Sequence, residues 1–467
     1  MPVLFWTDIL IWTLLVLAVL FAVYASHREH LRAPWREVAR SGVAMSAMVV
    51  LAVYIVIGLL DSIHYRPAAQ STADATEAQY SGETLSVLDR LVSGLRAQGE
   101  KTYSAPFALQ LYSKELVESP DGTQSRQYPR LQYGGAHLTG PGERAGDIAW
   151  TAVLAAAKAI VLWGLVCLVS GALVARRRGQ TVRGAVAALF GDRNAVNGRA
   201  VLLTLLLVAV VAWVAMDLSA KYHILGTDKV GDDVFYQTLK SIRTGLVIGT
   251  LTTLVMLPFA ILLGLMAGYF GRWVDDMIQY LYTTLNSIPS VLLIAAAILM
   301  LQVYLDNHAA EFSSVAERAD LRLLFLCLIL GVTSWTGLCR YLRAESLKLR
   351  EVDYVLAARA LGAGHFTIIG RHILPNVMHI VLITVVLDFS GLVLAEAVLS
   401  YVQIGVDPTT HSWGNMINSA RLEMAREPIV WWSLAAAFAF MFSLVLAANL
   451  FADVVRDAFD PRLRTSG

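Results

Sequence analysis

Two carboxylates lie inside an otherwise apolar run, Asp388 and Glu396. An ionised carboxylate at mid-bilayer costs roughly 2.5 to 3.5 kcal/mol on insertion scales, so both side chains are expected to face protein or water and not lipid. Eight positions apart, they stand about 80 degrees from one another round a helix of 3.6 residues per turn, close enough to line one cavity wall. A proton relay and a hydrogen-bonded packing contact between helices are both open at this point. Elsewhere the chain is poor in chemistry. Cys167, Cys327 and Cys339 lie in or at the ends of apolar segments, where a thiol behaves as a small hydrophobe. His27 and His30 sit in an Arg-rich stretch that reads as a solvated face. Neither HExxH nor the phosphate-cradling GxxxxGKS/T occurs, so no metal site or nucleotide site is expected. With no nucleophile and base at motif spacing, the residues argue against a membrane enzyme.

The most informative stretch is Glu351-Val-Asp-Tyr-Val-Leu-Ala-Ala-Arg-Ala-Leu-Gly-Ala-Gly364, followed by Arg371-His-Ile-Leu-Pro-Asn376. Val352 to Leu361 favours a short helix whose first turn Asp353 stabilises through the helix dipole, and Gly362 with Gly364 is expected to supply a left-handed stop. Ala357, Ala358 and Ala360 keep that helix slim. A slim helix with Arg359 beside the alanines can enter a groove on a soluble partner and transmit rigid-body motion. A helix that merely rests at the membrane interface is the competing reading.

These residues must be positioned by a membrane-embedded frame. Of 467 residues, 57% are hydrophobic and 16% charged, and the mean hydropathy is +0.58, outside the balance of a soluble globular protein. With roughly 20 apolar residues per span, helices are expected near Leu4 to Tyr24, Val43 to Leu60, Ile148 to Val174, Val201 to Met216, Leu246 to Tyr269, Tyr280 to Val303, Leu323 to Leu342, Val377 to Leu399 and Ile429 to Phe451. The fold class expected is an all-α polytopic membrane protein of about nine spans. The first run lacks a basic n-region and is long enough to span, so it reads as an uncleaved helix and not a signal peptide. Pro258, Gly264 and Pro289, inside apolar runs, read as packing or kink positions.

Lys and Arg total 37 against 36 Asp and Glu, so only their distribution informs. Arg28, Arg32, Arg36 and Arg40 crowd one loop; Arg176, Arg177, Arg178, Arg183, Arg193 and Arg199 another; Arg340, Arg343, Lys348, Arg350, Arg359 and Arg371 a third. The positive-inside rule makes these loops cytoplasmic, with the amino terminus outside and the tail, bearing Arg456, Arg462 and Arg464, inside. Residues 61–147 are the one long hydrophilic segment and form an extracytoplasmic insertion. Within it Glu83 to Arg96 has helical spacing, and Gln124 to Leu138 reads as irregular or strand-like. The chain thus divides into a three-helix unit at 1–175 carrying the insertion, a basic cytoplasmic linker at 176–199, and a six-helix unit at 200–467.

The 351–376 loop resembles the EAA loop, the ATPase-docking signature of ABC importer permeases. Ala357, Ala358, Gly362, Leu374 and Pro375 fall on its register, while Leu356 stands in place of the Glu and His372 in place of the Ile. Asp-Tyr-Val-x-Ala-Ala-Arg-Ala-x-Gly-Ala and Arg-His-Ile-Leu-Pro-Asn are the forms usual in dipeptide and oligopeptide permeases. His223-Ile-Leu-Gly-Thr-Asp228, Gly231 to Val234, Arg243, Gly268 to Asp275, Leu394 to Ala397, Ser412-Trp-Gly414 and Arg456 to Leu463 resemble the C-type member of that family, in the expected order. Asp232 and Arg272 depart from its pattern. The resemblance covers about Lys221 to Leu463 and leaves the amino-terminal unit outside the common core.

The resemblance implies a permease subunit that forms, with a second homologous permease, the pathway of a peptide importer in the bacterial inner membrane. Two ATPase subunits would dock inside and use ATP and Mg, this chain binding no cofactor itself, and an extracytoplasmic solute-binding protein would deliver solute. Asp353, Tyr354, Ala357, Ala358, Arg359, Gly362, Leu374 and Pro375 would couple to the ATPase, and Asp388 and Glu396 would line the pathway. Glu396 matches a familiar family position, whereas Asp388 does not and is the better clue to substrate choice. A nickel chelate or another non-peptide solute remains open. A proton-coupled transporter and a membrane-anchored sensor are rivals that leave the EAA-like loop without a purpose.

Overall fold

The computed structural model describes residues 1–27, 29–67, 82–118, 124–179, 181, 184, 196–312 and 314–459. Arg28, Arg183, Arg193, Arg462 and Arg464, most of the 176–199 linker, and the segment from Pro461 to Leu463 lie outside the described residues, as do the side chains of His30, Arg177 and Arg178.

Apolar composition and polar caps set the helices. The chain opens with strand β1 (Pro2–Val3), the apolar helix α1 (Trp6–Ser26), and α2 (Glu29–Arg40), whose apolar and charged residues fall on opposite faces. Helix α3 (Gly42–Asp61) follows at once, with Ser41 Oγ accepting from the Ala44 N–H at its start. The insertion supplies β2 (His64–Tyr65), β3 (Leu85–Ser86), the short helices α4 (Val87–Leu91) and α5 (Ser93–Ala97), and a β4 (Glu115–Glu118) and β5 (Gln124–Gln127) hairpin. Strands β1, β2 and β3 form one antiparallel sheet, with Val3 opposite His64 and His64 opposite Ser86. The expected helix from Glu83 to Arg96 is therefore a strand and two short helices. Ser86 breaks it by capping α4, accepting from the Asp89 N–H while the Asp89 carboxylate accepts from the Ser86 N–H.

Helices α6 (Arg144–Arg178) and α7 (Gly198–Ser219) pack on one another. Helix α8 (Val234–Phe270) runs 37 residues, from its Asp233 cap to Gly271, and accommodates Pro258 in its interior. Then come α9 (Arg272–Ser287), α10 (Ser290–Asn307), α11 (Val315–Ser334), α12 (Thr336–Leu349) and α13 (Asp353–Ala360). The last elements are α14 (His365–Ile368), a π-helical turn (Ile369–Ile373), α15 (Leu374–Tyr401), α16 (Trp413–Glu423) and α17 (Trp432–Phe459).

Among the described residues, eight helical stretches are long and apolar enough to cross a membrane, and the remaining expected element forms as the apolar α1. Two expected spans are subdivided. Tyr280 to Val303 breaks at Ile288-Pro289, where the extended Ile288 backbone, required before proline, separates the amphipathic α9 from the apolar α10. Leu323 to Leu342 divides at Trp335, between α11 and α12.

The amino-terminal unit packs into the core. Helix α3 lies against α7, α8 and α17, and α1 touches α8 and α11. Gly264 and Gly268 let α8 approach α12 closely: a Cβ on Gly264 would meet Leu342 Cβ at 2.8 Å, and one on Gly268 would meet Ser346 Cβ at 2.5 Å. This small-residue spacing is how helices pack where lipid removes the hydrophobic drive.

Candidate functional site

The 351–376 stretch folds at the end of the bundle opposite the insertion. Helix α13 is pinned by one side chain, Val355, 1% exposed, which enters a cluster with Met256, Leu338, Cys339, Leu342, Ile368 and Ile373. Its other face is open: Asp353, Tyr354, Ala357, Arg359 and Ala360 are exposed, and Ala358 is half-buried. The Leu361 N–H bonds the Ala357 carbonyl and the Gly362 N–H the Arg359 carbonyl, closing the helix. Gly362 (φ 83°) is left-handed, as expected of a helix stop. Gly364 is not: its φ of −65° and ψ of 151° are extended, and it starts α14 instead.

Beyond the stop, Leu361 is 88% and Phe366 80% exposed, two large apolar side chains beside a slim helix. Leu374 packs into the same cluster as Val355, and Pro375 occupies the first turn of α15, where its missing N–H costs nothing. Asn376 Nδ2 donates to the Tyr354 hydroxyl at 3.0 Å and to the His372 carbonyl at 2.6 Å, tying α13 to the start of α15. Tyr354, Ala357, Ala358, Arg359, Gly362, Leu374 and Pro375 are thus gathered on one platform.

Polar contacts brace the platform against the neighbouring turn. Tyr269 hydroxyl and His365 Nδ1 are 2.9 Å apart, and Arg350 Nη1 donates to the Gly268 carbonyl at 3.4 Å. Arg343 grips Asp275 with two hydrogen bonds of 2.5 and 2.7 Å, which hold that carboxyl below the usual carboxylate range.

Asp388 and Glu396 are not part of this platform. Glu396, 2% exposed, accepts from Ser400 Oγ at 2.7 Å and lies against Gly414 at the amino-terminal end of α16. A carboxylate is well placed there, facing free N–H groups and the positive end of the helix dipole. Asp388 is half-buried and has no hydrogen-bond partner among the described residues.

Sequence reasoning missed a second set of polar residues, at the insertion end. Arg243 donates from Nη2 to Asp8 Oδ1 at 2.6 Å and stands 3.6 Å from Asp320. Lys240 Nζ bonds Asp61 at 2.6 Å and Asp89 at 3.1 Å, and Tyr236 donates to Asp89 at 2.7 Å. His223 lies between Asp233, 2.7 Å from Nδ1, and Glu100, 3.5 Å from Nε2. Each group joins an acid of the first 100 residues to a base of the core. The signal available was the presence of ionisable residues within or at the ends of apolar helices, which must find partners.

Residues 260–465 match the family described as binding-protein-dependent transport system inner membrane component. A protein of Brucella suis biovar 1 named as a peptide permease is 34% identical over 242 residues, 51% of this chain and 73% of that one. The chain belongs to this permease family. The glutathione transport system permease protein of Pectobacterium atrosepticum is 30% identical, over 52% of this chain and 74% of that one. The dipeptide transport system permease protein of Alkalihalophilus pseudofirmus is likewise 30% identical, over 52% and 73%. The protein is therefore a multi-pass inner-membrane permease, a component of a multi-subunit ABC importer. The matched segment contains the whole platform, whereas Asp8, Asp61, Asp89 and Glu100 lie outside it.

Proposed function

We propose that this permease forms, with a second homologous permease, the translocation pathway for di- or oligopeptides, driven by two ATPase subunits and supplied by an extracytoplasmic solute-binding protein. Helix α13 carries the reading: it is slim, exposed along one face, and seated through Val355 on the helices that would move. Its open face, with Leu361 and Phe366 beside it, is suited to a groove on an ATPase. The relatives' names, peptide permease, glutathione permease and dipeptide permease, support the substrate class.

In this reading the amino terminus and insertion face outward and the 351–376 loop and tail face the cytoplasm, in keeping with Arg340, Arg343, Lys348, Arg350, Arg359 and Arg371 at the loop end. ATP and Mg act in the partner subunits, where closure of the ATPase pair displaces α13. The spans attached to it then exchange the side on which the pathway opens, through contacts that differ between the two states. Asp388, without a hydrogen-bond partner among the described residues, is the carboxylate available to the pathway, whereas the bonded Glu396 acts in holding α16 to α15.

Purification from the native membrane in mild detergent, with companions identified by mass spectrometry, tests the reading. An ATPase and a second permease in stoichiometric yield, with ATP-dependent uptake of trialanine after reconstitution, are expected. Solitary, active protein would overturn it.

A further inference from the structure

A cavity of about 610 Å³ opens where the first 89 residues meet the core, within the size range of small-molecule sites. Asp61 and Thr84 line it from one side, Arg243 and His411 from the other. Opposite charges thus face one space, and each keeps an atom unused. Asp61 Oδ1 accepts from Ser86 Oγ and Lys240 Nζ, both at 2.6 Å, while Oδ2 has no hydrogen bond among the described residues. Arg243 commits Nε and Nη2 to Asp8 and Thr7, and leaves Nη1 without a hydrogen bond among the described residues.

One neutral group is in the same condition. The His411 ring is held edge-on to Tyr236 with centroids 5.7 Å apart, and its backbone carbonyl accepts from Thr244 Oγ1 at 2.6 Å. The imidazole is fixed in place, yet neither nitrogen bonds to a described residue. These atoms face the cavity with hydrogen-bonding capacity to spare, a donor for an anion and an acceptor for a cation on opposite walls together with a fixed imidazole, as a small set of convergent polar groups at a ligand site does. The remaining wall is largely polar, with Glu83, Lys240, Asp320 and Thr409 beside the apolar Phe5 and Leu323, a lining suited to a charged, hydrated ligand.

We infer that this cavity binds a short peptide with free termini, its carboxylate on Arg243 Nη1, its ammonium on Asp61 Oδ2, and an amide group on the His411 imidazole. The inference rests on the peptide-import reading and gives the amino-terminal unit a purpose in it. A third of the wall, from Phe5 to Thr84, comes from the amino-terminal unit and the rest from the six-helix core, so the added unit completes the site.

The test is calorimetric titration of the full chain in phosphatidylcholine nanodiscs with trialanine, N-acetyl-trialanine and trialanine amide. Free trialanine is expected to bind, and each capped form at least about tenfold more weakly, as loss of a charge-assisted hydrogen bond dictates. His411→Ala, which breaks no ion pair, should weaken binding several-fold. Absence of binding, equal binding of the capped peptides, or unaltered affinity in His411→Ala overturns the site. ATP-driven uptake by the assembled transporter is followed separately. Uptake without binding here removes the site and leaves the import reading standing; binding without uptake does the reverse.

Discussion

Arg243 and Asp8, 235 positions apart in the chain, meet through two hydrogen bonds of 2.6 and 3.2 Å between α8 and α1. Asp8 also lies 2.8 Å from His64 Nδ1, on the strand that pairs with β1. One carboxylate therefore fixes the first helix, the start of the insertion and the longest core helix together.

Removing it should be costly. Breaking a buried charge pair leaves an uncompensated charge and typically costs about 3–5 kcal/mol. Asp8→Ala is expected to fall in that range, with Asp320 at 3.6 Å relieving part of the loss. A double-mutant cycle with Arg243→Met, read as Tm in detergent, checks it: the double variant should be less destabilised than the sum of the singles.

The contact of α8 with α12 gives a sharper steric expectation. A Cβ at Gly268 would lie 2.6 Å from the Arg343 carbonyl oxygen as well as 2.5 Å from Ser346 Cβ. Gly268→Ala should cost about 1–3 kcal/mol, the range for overpacking. Gly337→Ala meets nothing within 4 Å and should leave Tm unchanged. Equal thermal stability of the two variants would contradict the close packing.

Arg359→Glu reverses a charge on the open face of α13 while touching no buried contact. Transport is expected to fall at least about tenfold, the effect of about 1.4 kcal/mol, with expression and Tm retained. Gly362→Val adds a β-branched side chain at φ 83°, at a strain of about 1–3 kcal/mol. Uptake assays with matched expression decide both, and full uptake in Arg359→Glu would remove α13 from the docking role.

The clasp of insertion on core has a defined pH window. Burial alone would lower the His223 pKa, but Asp233 and Glu100 outweigh it and raise it to about 9. Burial likewise works to raise Glu100, yet His223 and the N–H groups of Tyr133, Gln132 and Gly134 bring it down to about 2. The raised histidine contributes stability that is fully present below about pH 6.5 and disappears as pH rises through about 9. The depressed glutamate contributes above its ordinary value of 4.5, and that share is lost as pH falls through about 2. Tm should therefore peak between about pH 4.5 and 6.5, and His223→Gln should flatten the alkaline limb. A wild-type Tm that does not change between pH 6 and 10 would contradict the clasp.

Bilayer-spanning apolar runs were legible because length and composition alone define them, and α13 was legible because Ala, Asp and Gly each act within a turn or two. The subdivision at Pro289 was partly visible, since proline marks a position without saying whether the helix bends or ends. The pairing of Asp8 with Arg243 was not, because sequence conveys charge but not distance. The insertion resisted reading for another reason. Its elements are two to five residues long, too short for periodicity, and are held by remote bonds such as Glu100 N–H to Gly231 O and Phe107 N–H to His223 O.

Those remote bonds bear on ancestry and on engineering. Because Asp61, Asp89 and Glu100 each meet a group that the core supplies, Lys240 or His223, the added segment cannot be grafted onto another permease as a cassette. A chimera that exchanges residues 1–175 alone would carry stranded carboxylates, and a viable one must transplant Tyr236, Lys240, Arg243 and the 221–233 stretch with them. Donor and recipient positions on the two sides of the seam should therefore change together in descent.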